Sequence, residues 1–309
     1  MLAAVVNTWD SEPNYTTVPD LPDPSPTEIR LRVLASGVHR LVISRARGRH
    51  YSAKTLPHNA GVDGIGEDPN TGQRYYFFTF ESGSFAEFVN VDRKFITTLP
   101  ENADPVATAA FVNPVSSAWM AFTSRAAPQF PGFSVAILGV TSTSGRAAVD
   151  VARAKGAGRI IGVARNAAAL AEIPVDERIV LSPETDWSSL GEVDVVLDYI
   201  YGSTAVKLFR ALPESEKEVQ YVHIGALGLE GDITVPGSYL RGKKLAIRGV
   251  GPGSWTMEEY AREIRGMVDV ATQIERKNIF TAPFKDFEKT WANVRMGGEI
   301  DVFISDDIA

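Results

Sequence analysis

The chain has no cysteine in its 309 residues. That excludes disulfides, thiolate nucleophiles, cysteine redox chemistry and every zinc site built on sulfur. Nothing here calls for an oxidising compartment. No stretch approaches the roughly 18 uninterrupted apolar residues that carry a helix across a bilayer. The opening Met1-Leu-Ala-Ala-Val-Val-Asn-Thr lacks the basic start and long apolar run of a signal peptide. A cytoplasmic protein with no membrane partner is therefore expected. Basic charge is also in short supply: 31 Lys and Arg against 38 Asp and Glu leave a net charge of -7. A phosphate-backbone binder normally shows a basic face, so nucleic acid is not an expected partner. One local basic run, Arg40, Arg45, Arg47, Arg49 and His50, reads as the solvated face of a loop or helix.

What is present is an ordinary globular composition, long enough for about two domains of roughly 150 residues. The first third is β-rich and much interrupted. Short apolar runs at Ala3–Val6, Ile29–Leu34, Tyr75–Phe80 and Phe85–Val89 alternate with turn-forming clusters, and Val18–Pro26 is an extended, proline-rich connector. Near Asp104 the character changes. Ala107–Phe122 has helical spacing, with Pro114 expected to kink or restart it. From Ser134 onward strand and helix alternate. Strand-like runs are Val135–Leu138, Ile160–Val163, Arg178–Leu181, Val193–Asp198, Val219–Ile224 and Leu245–Val250, and helix-like stretches include Gly145–Lys155 and Thr204–Leu212. Such alternation means βαβ units around a parallel sheet. A Glu/Arg-rich helix over Met257–Lys277 and a strand over Asp301–Ser305 close the chain, which is expected to return to the first domain.

Glycine is scarce where it would be most telling. Ser134–Arg165 reads as a strand, a turn Gly139-Val-Thr141-Ser142-Thr143-Ser144-Gly145, and a helix opened by Gly145. A helix N-terminus offers unpaired N–H groups and partial positive charge to a pyrophosphate, and the hydroxyls of Thr141, Ser142, Thr143 and Ser144 add donors. Yet the dinucleotide fingerprint uses several glycines, and only Gly139 and Gly145 remain. By itself the turn also fits an ordinary strand–turn–helix. About 20 residues on, an acid reads the ribose 2′-hydroxyl, whereas a basic residue accommodates a 2′-phosphate. Arg165 with Asn166 stands there, favouring NADP(H). A later strand end, His223-Ile224-Gly225-Ala226, reaches the carboxyl edge of the sheet, where Gly225 would let a flat nicotinamide lie on backbone. His223 itself reads as a strand residue packed under the sheet.

Several segments, in order, resemble the medium-chain dehydrogenase/reductase superfamily, in its zinc-independent quinone oxidoreductase-like branch. They are Gly37-Val-His39, Arg47-Gly-Arg-His-Tyr51, Leu56-Pro-His-Asn-Ala-Gly-Val-Asp-Gly-Ile-Gly66, Gly83-Ser-Phe-Ala-Glu-Phe-Val89, Asn113-Pro-Val-Ser-Ser-Ala-Trp119, Gly145-Arg-Ala-Ala-Val-Asp-Val-Ala-Arg153, Pro236-Gly-Ser-Tyr-Leu-Arg-Gly242 and Gly249-Val-Gly-Pro-Gly-Ser254. The resemblance implies an α/β protein with a GroES-like β-rich catalytic domain (1–112 and 255–309), a Rossmann doubly wound parallel-sheet domain (113–254), and an active-site cleft between them. It implies hydride transfer from NADPH to a quinone, enone or related electron-poor carbonyl compound, and a homodimer made through edge strands near Gly237–Val250. Tyr51 is implied to line the cleft and polarise the substrate oxygen. His39 stands where relatives often carry Asn beside the nicotinamide, and Asn113, Ser116 and Ser117 match a turn and helix start on its other side. No metal is expected: where zinc-dependent relatives carry Gly-His-Glu, this chain has Gly61-Val-Asp-Gly64. The alternatives are an NADPH-binding protein without turnover and a zinc-independent ketone or alcohol dehydrogenase.

Overall fold

The structure, a computed structural model, describes all residues except 10, 128, 229, 230, 276–278, 295–299, 307 and 309, and the side chains of 300 and 301. The chain divides into two compact units, Met1–Asn113 with Tyr260–Ala309, and Pro114–Glu259.

The first unit begins with β1 (Leu2–Val6), β2 (Asn14–Thr17), β3 (Glu28–Val38), β4 (His58–Asn59), β5 (Asp63–Glu67), β6 (Arg74–Phe78), β7 (Phe88–Asp92) and β8 (Ile96–Thr98). The short helix α1 (Arg40–Ala46) follows β3, and α2 (Pro105–Met120) follows β8. In the second unit come β9 (Ser134–Leu138), β10 (Arg159–Ala164), β11 (Glu177–Val180), β12 (Val195–Asp198), β13 (Val219–His223) and β14 (Leu245–Gly249). Helices α3 (Thr143–Ala154), α4 (Ala167–Ala171), α5 (Ser203–Ala211) and α6 (Gly237–Gly242) lie between them in sequence. The chain ends through α7 (Met257–Ala271), β15 (Ile279–Pro283), α8 (Phe287–Trp291) and β16 (Ile300–Ile304).

The six strands of the second unit form one sheet in the order β11-β10-β9-β12-β13-β14, all parallel. The centres of β9, β10 and β12, Val135–Leu138, Ile160, Ile161 and Val195–Leu197, are fully buried, as strands covered on both faces must be. Relative to β9 as first strand the order is 3-2-1-4-5-6, the doubly wound dinucleotide-binding arrangement. The point where the order reverses lies between the carboxyl ends of β9 and β12.

The first unit is β-rich. A sheet in the order β15-β16-β3-β5-β6-β8, with β7 also on β3, stands beside a smaller one, β2-β1-β4. Its C-terminal residues belong to it through aromatic burial: Phe287 stacks with Trp291 and tilts against Phe85 and Phe303, and the Trp291 indole N–H donates to Glu12 at 2.5 Å.

Some expectations need correction. Pro114 neither ends nor restarts α2. It lies inside one helix that continues to Met120 and then into a π-helical turn, Ala121–Arg125. Asn113, Ser116 and Ser117 are thus in a helix body rather than at a turn. The helix expected to reach Lys277 ends at Ala271, and Lys277 lies outside the described residues. The strand expected at Phe85–Val89 forms three residues later, because Phe85 turns into the aromatic core and only Ala86 bridges to Ala3. Arg45 is not on a solvated face: α1 buries it to 3% exposure.

Candidate active site

Strand β9 delivers the chain into Gly139, whose φ of +85° is a conformation that a side chain would strain. The turn then closes on itself. The Ser142 hydroxyl donates to the Gly139 carbonyl at 2.8 Å and accepts the Gly145 N–H at 3.1 Å. Ser142 is therefore the N-cap of α3, and the helix starts at Thr143, two residues before the expected Gly145. This corrects the role of one hydroxyl: Ser142 has already donated its hydrogen to the turn. The N–H groups of Thr143 and Ser144, in the first helical turn, have no intrahelical acceptor. Thr141, Thr143 and Ser144 are half-buried. At Gly145 the backbone is crowded: an added Cβ would meet the Gly139 carbonyl oxygen and come within 2.8 Å of Val140 Cα. The helix start is thus seated directly on the end of β9. Unpaired N–H groups, a helix dipole and flanking hydroxyls fit a pyrophosphate.

One strand over, β10 ends at Ala164 and places Arg165 and Asn166 exposed at the same carboxyl edge. Asn166 caps α4 through its side-chain oxygen, which accepts the Ala169 N–H at 3.0 Å. Arg165 forms no ion pair within 4 Å among the described residues. On the other side of the reversal point, β12 ends in Asp198, fully buried. Its carboxylate accepts the N–H groups of Ile200 and Tyr201 at 2.7 and 3.0 Å and the Tyr221 hydroxyl at 2.5 Å. Burial raises its pKa against the pull of those donors. Its carbonyl accepts from Ile224 and Gly225, which ties the tails of β12 and β13 together. A Cβ on Gly225 would meet nothing closer than 3.6 Å, so the protein's own packing does not require glycine there. Ala226 is exposed and Ile224 half-buried. Ser117 reaches this edge through the Tyr199 hydroxyl at 3.1 Å.

His223 is not under the sheet. It ends β13 half-buried, its ring 3.9 Å from that of Tyr201. Tyr201 holds a φ of +64°, the single non-glycine with positive φ among the described residues. Asp198, Tyr199 and Tyr201 were not picked out from the sequence. An acid ending an apolar strand, Val195-Val-Leu-Asp198, was the available signal.

The candidate residues of the first unit sit in two places. His39 caps α1 without a side-chain bond to the helix, because its Nε2 pairs with the buried Asp63 at 3.0 Å. The other oxygen of Asp63 accepts the Tyr76 hydroxyl at 3.2 Å. Asn113 is half-buried in α2. Tyr51 is 64% exposed on the loop after α1, its ring centroid 4.1 Å from that of His50. Beneath that loop the Arg45 guanidinium donates to the Ser52 carbonyl and hydroxyl at 2.9 and 2.5 Å and to the Phe80 carbonyl at 2.7 Å, and lies 4.5 Å from the Phe80 ring centroid.

No family model matches the chain. A probable NADPH-dependent quinone reductase from Emericella nidulans is 38% identical to it, over 94% of this chain and 96% of that protein. Among solved structures, the quinone oxidoreductase of Thermus thermophilus, determined also in complex with NADPH, is 24% identical with a TM-score of 0.75, covering 98% of this chain and 100% of that one. An alcohol dehydrogenase superfamily protein from Novosphingobium aromaticivorans is 19% identical with a TM-score of 0.80, covering 99% and 100%. The quinone oxidoreductase of Pseudomonas syringae pv. tomato is 17% identical with a TM-score of 0.78, covering 98% and 100%. At these identities the solved structures speak for the fold alone.

Proposed function

The chain belongs to the quinone oxidoreductase-like branch of the medium-chain dehydrogenase/reductase superfamily, and on that footing we propose that it is an NADPH-dependent reductase of a quinone or a related electron-poor carbonyl compound. One observation carries the reading. A 3-2-1-4-5-6 parallel sheet sets a glycine-bounded helix start at its reversal point, with an exposed arginine at the end of the neighbouring strand.

In this reading the N–H groups of Thr143 and Ser144, with the hydroxyls of Thr141, Thr143 and Ser144, hold the pyrophosphate. Gly139, Ser142 and Gly145 shape the turn that presents them. Arg165 and Asn166 receive the 2′-phosphate. Ile224, Gly225 and Ala226, with Ser117, border the nicotinamide, and His39 and Asn113 are retained as contacts of the cofactor. When bound, NADPH supplies the hydride. Tyr51 donates its phenol hydrogen to the substrate oxygen as negative charge develops there. Partial burial raises the pKa of that phenol, so it keeps its proton at neutral pH.

We read the chemistry as zinc-independent. The chain has no cysteine, and Asp63 is engaged by His39 and Tyr76. Among the described residues no helix is long and apolar enough to cross a membrane; the cytoplasmic setting remains part of this reading and rests on the sequence. A homodimer is also inferred. Edge strand β14 pairs only with β13 among the described strands, and Ile247 on it and Leu240 in α6 are 40% and 51% exposed. Sedimentation equilibrium tests the dimer, a monomer counting against it.

The function is tested by following NADPH oxidation against a panel of quinones, enones, ketones and aldehydes. Turnover with quinones or enones is expected. NADPH binding without reduction of any acceptor, or turnover confined to simple ketones, would replace this reading by one of its alternatives.

A further inference from the structure

Arg45 is an unusual residue to bury. An unpaired guanidinium loses several kcal/mol of solvation on leaving water, and among the described residues no carboxylate lies within 4 Å of it. It is held instead by two carbonyls, one hydroxyl and an aromatic face, and its Nε–H is left buried without an acceptor. The result is a fixed, uncompensated positive charge directly under the loop that carries His50 and Tyr51.

That charge sets the hydrogen-bond direction along the loop. Guanidinium nitrogens only donate, so Ser52 Oγ accepts from Arg45 and its own hydrogen is free to go elsewhere. The acceptor in reach is His50 Nδ1, 2.7 Å away. The Ser52 backbone N–H also points to the same nitrogen, at 3.2 Å. A ring nitrogen that accepts two hydrogen bonds carries no proton, which places the proton of the neutral imidazole on Nε2. A second proton on the ring is opposed by burial and by the Arg45 charge, both of which lower the pKa of His50. Nε2 has no protein partner among the described residues and is not buried.

We propose that His50, through its Nε2–H, is a second hydrogen-bond donor to the substrate oxygen, acting beside Tyr51 as a neutral electrophile whose tautomer is locked by Arg45 and Ser52. The assignment rests on the quinone-reductase reading and deepens it. Hydride addition brings two electrons and one hydrogen to a quinone and leaves a hydroquinone monoanion, its charge on oxygen. Water then delivers the proton that completes the hydroquinone. A neutral imidazole is a very weak acid, so His50 stabilises that oxyanion by a hydrogen bond and keeps its own proton, as electrophilic donors do. Arg45 and Ser52 touch no substrate in this scheme; they position and polarise the ring.

Two measurements on the full chain test this. Long-range proton–nitrogen NMR of the 15N-labelled protein reads the His50 tautomer directly; a proton on Nε2 through the neutral range is expected. Steady-state kinetics with NADPH and a benzoquinone then compare His50→Phe with His50→Gln, each checked for unchanged melting temperature. His50→Phe should lose about 100-fold in kcat with NADPH dissociation unchanged, and His50→Gln, which keeps a donor, should recover to within about tenfold of wild type. A proton on Nδ1, a charged imidazolium at neutral pH, or full turnover by His50→Phe would overturn the proposal. If wild type reduces no quinone, the functional reading falls and takes the substrate role of His50 with it, while the NMR result stands or falls independently.

Discussion

His58 shows what one buried titratable ring does to the whole chain. It is 6% exposed, its Nε2 has no partner, and its ring is tilted against Trp9 at 5.6 Å. Burial first, and the Arg45 charge second, hold its pKa down at about 4 against an ordinary 6.5. In the unfolded chain the same ring protonates near 6.5, so between these values the unfolded state binds more protons than the native state. Stability is therefore full above about pH 6.5 and falls as pH drops toward 4, by on the order of 3 kcal/mol at most from this residue. Thermal denaturation from neutral to mildly acid pH should show a falling melting temperature in wild type and a flatter profile in His58→Leu. Identical slopes would mean that the ring is not held neutral. The same charge explains why the sequence misled at Arg40–His50. A run of arginines reads as solvated because burying one without a carboxylate is costly, and the carbonyls of Ser52 and Phe80 that make it tolerable come from the next loop and from beyond β6.

At the scale of elements, the parallel sheet was the most legible part. Each expected strand from Val135 to Val250 lies within two residues of an observed one; in β9, β10 and β12 that is because strands buried on both faces are written as nearly unbroken apolar runs. Strand β5 was not legible. Its sequence, Asp63-Gly-Ile-Gly-Glu67, is poor in strand formers, yet added Cβ atoms on Gly64 and Gly66 would come within 2.6 Å of the Ala35 carbonyl oxygen and 2.8 Å of Leu31 Cβ. Close approach to β3 selects glycine there, and a single sequence cannot display that neighbour. The β9–α3 turn lies between these cases. Its position was readable, but not that Ser142 caps the helix and spends its hydroxyl on the turn. Gly145→Val tests this seat. With Gly139 and Val140 backbone against the new side chain, α3 must shift, and we expect a lower melting temperature together with loss of NADPH binding by at least about tenfold. Binding as in wild type would show that the turn is not where the cofactor's phosphates rest.

For the whole molecule, family membership rests on an overall sequence identity and the doubly wound sheet on a strand order. The candidate site residues were legible to different degrees for one physical reason. Residues tied to a strand end, such as Gly139 and Arg165, follow from the period of the sheet. Partnerships made across distant segments, His39 with Asp63 or Asp198 with Tyr221, leave no trace in local spacing. The pairing of Arg45, Ser52 and His50 is short-range, but only the fold reveals that the guanidinium is buried.

In the proposed reading NADP(H) sits at the β9–β10 edge, with Arg165 as the reader of the 2′-phosphate. This is tested most directly by comparing kcat/KM for NADPH and NADH with one saturating quinone, in wild type and in Arg165→Ala. A charge-assisted contact with a phosphate is worth about 1.5–3 kcal/mol, so wild type should prefer NADPH by roughly ten- to a hundredfold and Arg165→Ala should lose most of that preference while keeping its rate with NADH. Equal use of the two coenzymes by wild type, or an unchanged preference in Arg165→Ala, would mean that Arg165 does not read a 2′-phosphate.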